Sequence, residues 1–404
     1  MLNLYNNLIK NNLHNMKKFI VIGSGRQGIA VAYDLLSLCY DDIHHVTMVD
    51  VNSLFLEKAL KKISKITNNQ NLKGIAADVT NESEMLNILS DADVMISAVP
   101  YEFNLGLTKL AIKSKTSMVD LGGHTNIVRE QLSMNDEAIS SGISIIPDCG
   151  MGPGMNITMA VLATEILDQT DDIYICDGGL PQKPTPPWNY SLFFNIEGLT
   201  NEYDEQAYFL NKGNIIEVPC FSGIENIEFD NFGILEAAVT SGGLSTMPWT
   251  FKEKLKVLEN KTLRYPGHWE WMKAYRELGL FDRNVIEHNN QKIIPRDFYH
   301  QLLENKLDHG RVEDVCLMRI KAIGKKDSKK IELNIDAVEY YDKNIHLTAM
   351  EKWTGWHISI MAIEVAYNRV DKGAISVENA LTGHIFLEEA KKRNYNIKID
   401  IKEI

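Results

Sequence analysis

The sequence predicts an α/β protein: a doubly wound parallel sheet followed by a second, α+β domain with a mixed or antiparallel sheet. Over the first 150 residues, short runs rich in Val and Ile alternate with amphipathic helical patterns, as expected for strands buried on both faces. After residue 170, longer alternating runs follow one another with no helix between them. At 404 residues the chain is also too long for one ordinary core, so two domains are expected.

Apolar runs mark the predicted strands. The first sheet is predicted from residues 19–23, 45–50, 74–78, 93–99, 117–123 and 143–150. The second is predicted from residues 173–179, 214–219, 235–243, 315–324 and 330–341. Between the early runs, Ile29, Ala32 and Leu36 share one helix face. A further helix is predicted over 356–373, with Gly373 as its C-terminal cap.

Composition excludes several classes of partner. The net charge of −12 argues against a nucleic-acid partner, which would require a basic face. No apolar run is long enough to span a membrane, and the Asn-rich residues 1–15 lack the pattern of a secretory signal. We expect residues 1–15 to be a disordered extension. Five cysteines without paired spacing indicate no disulfide framework and a cytoplasmic location.

A glycine-rich turn follows the first predicted strand. Gly23-Ser24-Gly25-Arg26-Gln27-Gly28 has the G-x-G-x-x-G spacing and opens a helix, which is the context this motif needs. Gly23 permits the tight turn, Gly25 lets the backbone approach a pyrophosphate, and Gly28 allows close helix packing. The helix N-terminus then faces the negative charge. The pattern predicts a Rossmann domain over residues 16–155, although such a turn can also bind nothing.

The ends of the next strands supply the other candidate cofactor contacts. Asp50 ends the second strand, where an acid accepts hydrogen bonds from a ribose and repels a 2′-phosphate, so NAD is favoured over NADP. Asp78 ends the third predicted strand. Backbone atoms of Ala98, Val99 and Pro100, after the fourth, are candidates to meet the nicotinamide ribose, or they form an ordinary strand end.

Five motifs occur together in one order. They are DLGGH (120–124), IIPDCGMGPGMN (145–156), GGLP (178–181), FGILEAAVTSGGLSTM (232–247) and KTLRYPGH (261–268). Together they resemble the saccharopine dehydrogenase-like family, and most closely its L-lysine 6-dehydrogenase branch. The resemblance extends from about Lys17 to about Lys392.

The resemblance implies an architecture and a reaction. The dinucleotide domain would be completed by residues 352–395, and residues 156–351 would form the substrate-binding and oligomerisation domain. The reaction would be oxidation of a C–N bond of a small amino-acid substrate by NAD, carried out by a cytoplasmic homo-oligomer.

One departure bears on the substrate. In the saccharopine-forming members of the family that it resembles, a Pro-Asn-Arg run stands where this chain has residues 240–243. The resemblance implies that the Arg of that run holds a substrate carboxylate. No arginine lies between Arg129 and Arg264. Saccharopine carries three carboxylates and lysine carries one, and arginine is well suited to bidentate carboxylate binding. The Arg-poor domain therefore favours lysine, although lysine side chains can substitute for arginine.

Amine oxidation requires a cation for the α-carboxylate, an acid for the α-amine and a base. Asp120 is the predicted anchor or base, or else a helix cap, and His124 is the predicted proton carrier, or else a loop histidine bonded to backbone. Arg264 is predicted to bind the carboxylate, or else to pair with a structural acid. The other candidates are His268 as an alternative base, with Tyr265 and Thr240 at the substrate.

The leading hypothesis is NAD-dependent oxidative deamination of the lysine ε-amine to 2-aminoadipate 6-semialdehyde. A related alternative is saccharopine or carboxynorspermidine dehydrogenase activity. A third hypothesis, from a different class, is a non-catalytic NAD-binding protein. No spacing typical of metal ligands appears, so no metal is expected.

Overall fold

The structure is a computed structural model that describes residues 16–37, 44–67, 69–204 and 206–404. The predicted extension, residues 1–15, lies outside the described residues. Two compact units are distinguished: the first is the chain up to Gly154 together with Glu351–Leu381, and the second is Met155–Met350 together with Thr382–Ile404. The resemblance implies that residues 352–395 complete the first domain; in the structure Glu351–Leu381 belongs to the first unit and Thr382–Ile404 to the second.

The first unit contains a parallel sheet. In chain order its described strands are β1 (Lys17–Ile22), β2 (His44–Asp50), β3 (Leu72–Ala76), β4 (Val94–Ser97), β5 (Ser117–Asp120), β6 (Ser144–Ile146) and β17 (Gly373–Ala374). Their order across the sheet is β17-β6-β5-β4-β1-β2-β3. The chain runs outward from β1 through β2 and β3, and then crosses to β4 on the other side. The carboxyl ends of β1 and β4 therefore border the switch point at which this fold binds ligands.

Helices connect these strands, as the sequence predicted. They are α1 (Arg26–Ser37), α2 (Ser53–Thr67), α3 (Glu82–Leu89), α4 (Asn104–Ser114), α5 (Thr125–Ser133) and α6 (Asn135–Ser141). α1 buries Ala30, Val31 and Leu35, whereas Ile22 of β1 packs in a core cluster with Met85 of α3. The predicted doubly wound sheet is thus confirmed.

The second unit contains a mixed sheet. Its described strands are β7 (Gln169–Pro181), β8 (Gln206–Asn211), β9 (Asn214–Pro219), β10 (Glu225–Phe229), β11 (Gly233–Val239), β12 (Val257–Arg264), β15 (Asp314–Lys326), β16 (Lys329–Tyr340) and β18 (Asn396–Glu403). The path is β10-β11-β12-β7-β15-β16-β18, with β8 pairing β12 and β9. Only β7 and β12 pair in parallel among these, so the predicted mixed sheet is confirmed.

The remaining elements of the second unit are a small hairpin and several helices. The hairpin is β13 (Ile286–His288) with β14 (Gln291–Ile293). The helices are α7 (Met155–Ile166), α8 (Ile196–Asp204), α9 (Met247–Thr250), α10 (His268–Glu277), α11 (Pro295–Leu307) and α14 (Gly383–Lys392). None of the described helices combines the length and the hydropathy needed to cross a membrane.

The predicted helix over 356–373 has different limits. α12 spans Ala349–Ala366, and Gly373 is the first residue of β17, so its predicted role as a helix cap is wrong. Gly373 has a φ of +132° and donates its N–H to the carbonyl of Ile143 at 2.8 Å. The pairing of β17 with β6 needs an extended segment here. A short helix, α13 (Val377–Ala380), follows it.

Candidate functional site

The glycine turn lies at the carboxyl end of β1, at the switch point of the parallel sheet. The N–H of Gly23 donates to the carbonyl of Val49 at 2.8 Å, and the N–H of Ala98 donates to the carbonyl of Ile22 at 2.8 Å. These bonds fix the turn between the ends of β2 and β4. α1 begins at Arg26, directly after the turn, so its first N–H groups point toward the space above the sheet edge.

Contacts around the glycines explain why the turn needs them. A Cβ on Gly28 would lie 1.9 Å from the carbonyl oxygen of Gly23, and one on Gly23 would lie 2.6 Å from that of Ala98. By contrast, a Cβ on Gly25 would have no neighbour within 4 Å, so this backbone faces open space. A tightly closed turn with an open centre at a helix N-terminus fits the pyrophosphate of a dinucleotide.

Asp50, the predicted ribose contact, also holds the glycine turn. Its Oδ2 accepts hydrogen bonds from the backbone N–H and the hydroxyl of Ser24, both at 2.7 Å. Its Oδ1 accepts from the N–H of Asn52 at 2.8 Å. Each carboxylate oxygen accepts about two hydrogen bonds, so Oδ1 keeps capacity for a ribose hydroxyl.

The other predicted cofactor residues lie around the same sheet edge. Arg26 and Pro100 are exposed, while Gln27, Ala98 and Val99 are half-buried. Asp78 is exposed and accepts from the N–H and the hydroxyl of Thr80, at 2.9 and 2.8 Å, and these bonds lower its pKa. Asp78 thus stabilises the turn formed by residues 78–80, and its contact with the cofactor stays a prediction.

Asp120 ends β5 and is fully buried. Its Oδ1 accepts from the N–H of Gly122 at 2.8 Å, and its Oδ2 accepts from the Gln131 amide at 2.7 Å. Burial raises its pKa to about 6, an effect that these hydrogen bonds oppose. Through these bonds Asp120 holds the turn after β5, and its role as anchor or base stays a prediction.

His124 lies close to Asp120 in sequence but in different surroundings. It occupies the N-cap position of α5 in extended conformation, and its ring lies 5.3 Å from the ring of Tyr101, centroid to centroid. The residue is half-buried. Of the two predicted catalytic residues in the first unit, His124 is therefore the one that keeps contact with solvent.

In the second unit, Arg264 ends β12 and is only 3% exposed. Its Nε donates to the Tyr203 hydroxyl at 3.1 Å, and its Nη1 donates to the carbonyl of Leu263 at 2.9 Å. Its guanidinium carbon lies 4.7 Å from the centre of the Tyr190 ring, within cation–π range. Its Nη2 has, among the described residues, only an ion pair with Glu202 at 3.7 Å.

His268 shares the Tyr203 hydroxyl with Arg264. Its Nε2 lies 3.0 Å from that hydroxyl, and its Nδ1 lies 3.1 Å from the Trp188 carbonyl. Burial lowers the pKa of His268 to about 3, and the charge of Arg264 adds to the effect. The imidazole is therefore neutral and a weak proton acceptor, which weighs against its predicted role as a base.

Two other predicted substrate residues are held by neighbouring protein groups. The hydroxyls of Thr240 and Thr262 lie 2.7 Å apart in a buried pair. Tyr265 directs its hydroxyl to the carbonyl of Pro181 at 2.9 Å. Thr240 directly follows β11, the strand that pairs with the strand of Arg264, whereas the side chain of Tyr265 packs into a hydrophobic cluster that includes Leu263.

Sequence reasoning missed several residues around Arg264. Two of them are carboxyls: Asp177, on β7, is 5% exposed, and Glu202 retains 30% exposure of its side chain. Burial raises the pKa of both, and Arg264 opposes the shift. The detectable signal for Asp177 was an acid within an otherwise apolar strand, residues 173–179. Nothing in the local sequence marks Glu202 or Tyr203.

Comparisons with known protein families identify the chain. The model described as "Saccharopine dehydrogenase NADP binding domain" matches residues 19–146, and the one described as "Saccharopine dehydrogenase C-terminal domain" matches residues 150–394. Among curated proteins, the saccharopine dehydrogenase [NADP(+), L-glutamate-forming] of Saccharomyces cerevisiae is 24% identical over 249 residues, or 59% of this chain. The mitochondrial alpha-aminoadipic semialdehyde synthase of Bos taurus is 24% identical over 294 residues, or 67% of this chain. The chain spans 55% of the length of the yeast protein and 29% of the bovine one.

Solved structures show the same fold. Apo saccharopine dehydrogenase (L-Glu forming) from Saccharomyces cerevisiae matches with a TM-score of 0.76 at 18% identity, over 96% of this chain and all of that one. Homospermidine synthase from Legionella pneumophila, solved in complex with NAD, matches with a TM-score of 0.65 at 12% identity, over 98% and 94%. Since the two family models together cover most of the sequence from residue 19 to residue 394, this chain belongs to the saccharopine dehydrogenase family.

Proposed function

We propose that this protein is a nicotinamide-dependent dehydrogenase that oxidises a C–N bond of an amino acid. The proposal is supported by family membership, by the glycine turn that fits a pyrophosphate, and by the names of several relatives, which are saccharopine dehydrogenases. At a finer level we propose L-lysine as the substrate, oxidised at its ε-amine carbon, with NAD as the cofactor.

The balance of charges around Arg264 is the observation that supports lysine as the substrate. The cluster around Arg264 holds one cation and two carboxyls, Glu202 and Asp177. Lysine brings one carboxylate and two amines, so it complements this set, because Arg264 takes the carboxylate and the acids suit ammonium groups. Saccharopine brings three carboxylates, and a cluster with a single arginine is poorly matched to them.

Asp50 is the basis for proposing NAD. Its carboxylate ends β2, where a 2′-phosphate would meet a negative charge. The next residues, Val51 and Asn52, offer no cation to offset that repulsion. The names of several curated relatives include NADP(+), whereas the homospermidine synthase structure was solved with NAD, so the comparisons do not distinguish the two nucleotides.

The reaction that we propose balances as follows. Lysine, NAD⁺ and water give 2-aminoadipate 6-semialdehyde, ammonium, NADH and one proton. A nicotinamide held above the glycine turn would supply the hydride acceptor for oxidation at Cε. The ε-amine must first lose a proton, which costs about 4.6 kcal/mol at pH 7 for a group with an ordinary pKa near 10.4. We propose His124 as the carrier of that proton, because it is half-buried and keeps solvent contact.

A saccharopine or carboxynorspermidine dehydrogenase is the second candidate. It is favoured by the names of the curated relatives, several of which are saccharopine dehydrogenases. The same nucleotide turn and the same Arg264 would serve either reaction, so the two candidates differ in the substrate alone.

A substrate panel tests the proposal. Lysine, ornithine, saccharopine and carboxynorspermidine are each incubated with NAD and with NADP, and absorbance of the reduced nucleotide is followed. We expect turnover of lysine with NAD to have the highest kcat/KM. A higher kcat/KM for saccharopine would contradict the lysine proposal and support the second candidate function, a saccharopine dehydrogenase. Nucleotide binding without turnover of any amine would instead favour a non-catalytic NAD-binding protein.

A further inference from the structure

One face of the mixed sheet gathers polar side chains from neighbouring strands. β7 and β12 pair in parallel with Asp177 opposite Thr262. Side chains alternate along a strand, so Asn260, Thr262 and Arg264 share a face of β12, and Asp177 lies on the same face of β7. The four residues are each 8% exposed or less. Asp177 is therefore part of the buried polar cluster around Arg264.

Asp177 carries a buried oxygen with no hydrogen-bond partner. Its Oδ2 is inaccessible to solvent and accepts no hydrogen bond from the described residues. The side-chain amides of Asn156 and Asn260 interact with the carboxyl and oppose the rise in its pKa that burial causes. Asn156 also donates its Nδ2 to the carbonyl of Gly243 at 2.9 Å. The Nδ2 of Asn260 is likewise buried without a hydrogen-bond partner within ordinary distance. An unsatisfied acceptor and donor side by side in the interior are costly and rare, and a ligand that carries both kinds of group would satisfy them.

The charges in the cluster indicate what kind of donor would be accepted. Arg264 has an acid nearby in Glu202, whereas Asp177 has no ion pair within 4 Å among the described residues. Burial raises the pKa of Asp177 to about 7, so an adjacent cation would stabilise its ionised form. An ammonium group supplies both the positive charge and the N–H donors that Oδ2 lacks.

From this geometry we propose that Asp177 binds the α-ammonium of an amino acid whose α-carboxylate is bound by Arg264. The proposal rests on the proposed function, since that amino acid is the substrate. Adjacent strands lie about 4.8 Å apart, and residues two positions apart rise about 6.6 Å, which separates the two Cα atoms by about 8 Å. A short Asp and a long Arg at this spacing suit two groups attached to one carbon. The ligand class is therefore α-amino acids with an unmodified α-amine.

A pair of ligands isolates the contact. L-Lysine and 6-aminohexanoate share the carboxylate, the chain length and the terminal amine, but only lysine has an α-amine. Binding of each is measured by calorimetry in the presence of NADH, which prevents turnover. Wild-type protein is expected to bind lysine roughly 10- to 100-fold more tightly, as for a charge-assisted hydrogen bond in a buried site.

Substitution then assigns the preference to Asp177. In Asp177→Asn the preference for lysine is expected to disappear, while 6-aminohexanoate and NADH bind within about twofold of wild type. Asp177→Ser is measured in parallel, so the result does not depend on the folding of one variant. Asp172→Asn is the matched control, because it makes the same change on the same strand, at a position that is half-buried and outside the cluster. It should keep the preference.

The outcomes separate this proposal from the proposed function. Wild-type protein that binds both compounds equally, or binds neither, overturns the α-ammonium contact, as does a preference that survives in both Asp177 variants. If the preference is present and depends on Asp177, but no amino acid reduces NAD, the contact stands and the proposed dehydrogenase activity falls. If lysine is oxidised while Asp177→Asn leaves its KM unchanged, the activity stands and the contact falls.

Discussion

The carboxylate of Asp50 is bonded twice to Ser24, through the backbone N–H and the side-chain hydroxyl, each at 2.7 Å. This pair joins the end of β2 to the glycine turn after β1, across 26 residues of sequence. The acid that is expected to select the nucleotide therefore also fixes the shape of the turn that binds its pyrophosphate. Substitutions at the two residues should separate these roles.

Asp50→Ser should weaken NAD binding and reduce the preference for NAD over NADP. The variant loses both the charge that repels a 2′-phosphate and the two bonds to Ser24. Ser24→Ala is the control, because it removes only the hydroxyl bond, a loss of about 1 kcal/mol. Dissociation constants for both nucleotides measure the effect. If the ratio of the NAD and NADP dissociation constants is unchanged in Asp50→Ser, Asp50 does not select the nucleotide. The same conclusion follows if Ser24→Ala changes that ratio equally.

Gly28→Ala and Gly25→Ala should have opposite consequences. A Cβ at position 28 would lie 1.9 Å from the backbone oxygen of Gly23, so this variant should lose stability as the turn is forced open. A Cβ at position 25 meets no atom within 4 Å and should leave the melting temperature nearly unchanged, yet obstruct the pyrophosphate. Thermal unfolding and NAD titration check both. Full NAD affinity in Gly25→Ala would show that no pyrophosphate approaches there.

Arg264→Ala should raise the KM for lysine roughly 10- to 100-fold, as expected from losing a charge-assisted hydrogen bond to the carboxylate. Because the guanidinium is also held by Tyr203 and packed on Tyr190, Arg264→Lys should recover only part of the loss. Arg283→Ala changes an exposed arginine of the same unit and should have no effect. Steady-state kinetics measure all three, and a KM that is unchanged in Arg264→Ala would contradict the carboxylate role.

His268 should make the protein sensitive to acid. Its folded-state pKa of about 3 lies below the ordinary value of 6.5, so its contribution to stability is present above pH 6.5 and is lost as pH falls toward 3. Between pH 7 and pH 5 the wild type should lose about 2 kcal/mol of unfolding free energy that His268→Gln keeps. Urea unfolding at the two pH values measures the difference. Other titrating groups are common to both proteins, and equal pH dependence would show that His268 is not buried as a neutral ring.

Local pattern was enough to predict the dinucleotide half of the protein. The run that became β1, the glycine turn and the start of α1 are consecutive in sequence, and buried parallel strands are recognisable from continuous Val- and Ile-rich runs. Asp50 was found by the same reasoning, since its position follows from the end of the next strand. Its bonds to Ser24 were not predicted, because they depend on side-chain geometry across two strands.

The sequence by itself determined the two kinds of sheet, the nucleotide turn and the position of Arg264 as the first arginine after Arg129. Only the tertiary structure decided what surrounds that arginine. Tyr203 lies 61 residues from Arg264 in sequence, and Asp177 reaches its neighbourhood through the parallel pairing of β7 with β12. The structure likewise shows that Asp120 and His268 are enclosed groups with shifted pKa values, and their catalytic roles stay predictions. Desolvation and long-range strand pairing depend on the whole packed unit, so no short window of sequence contains them.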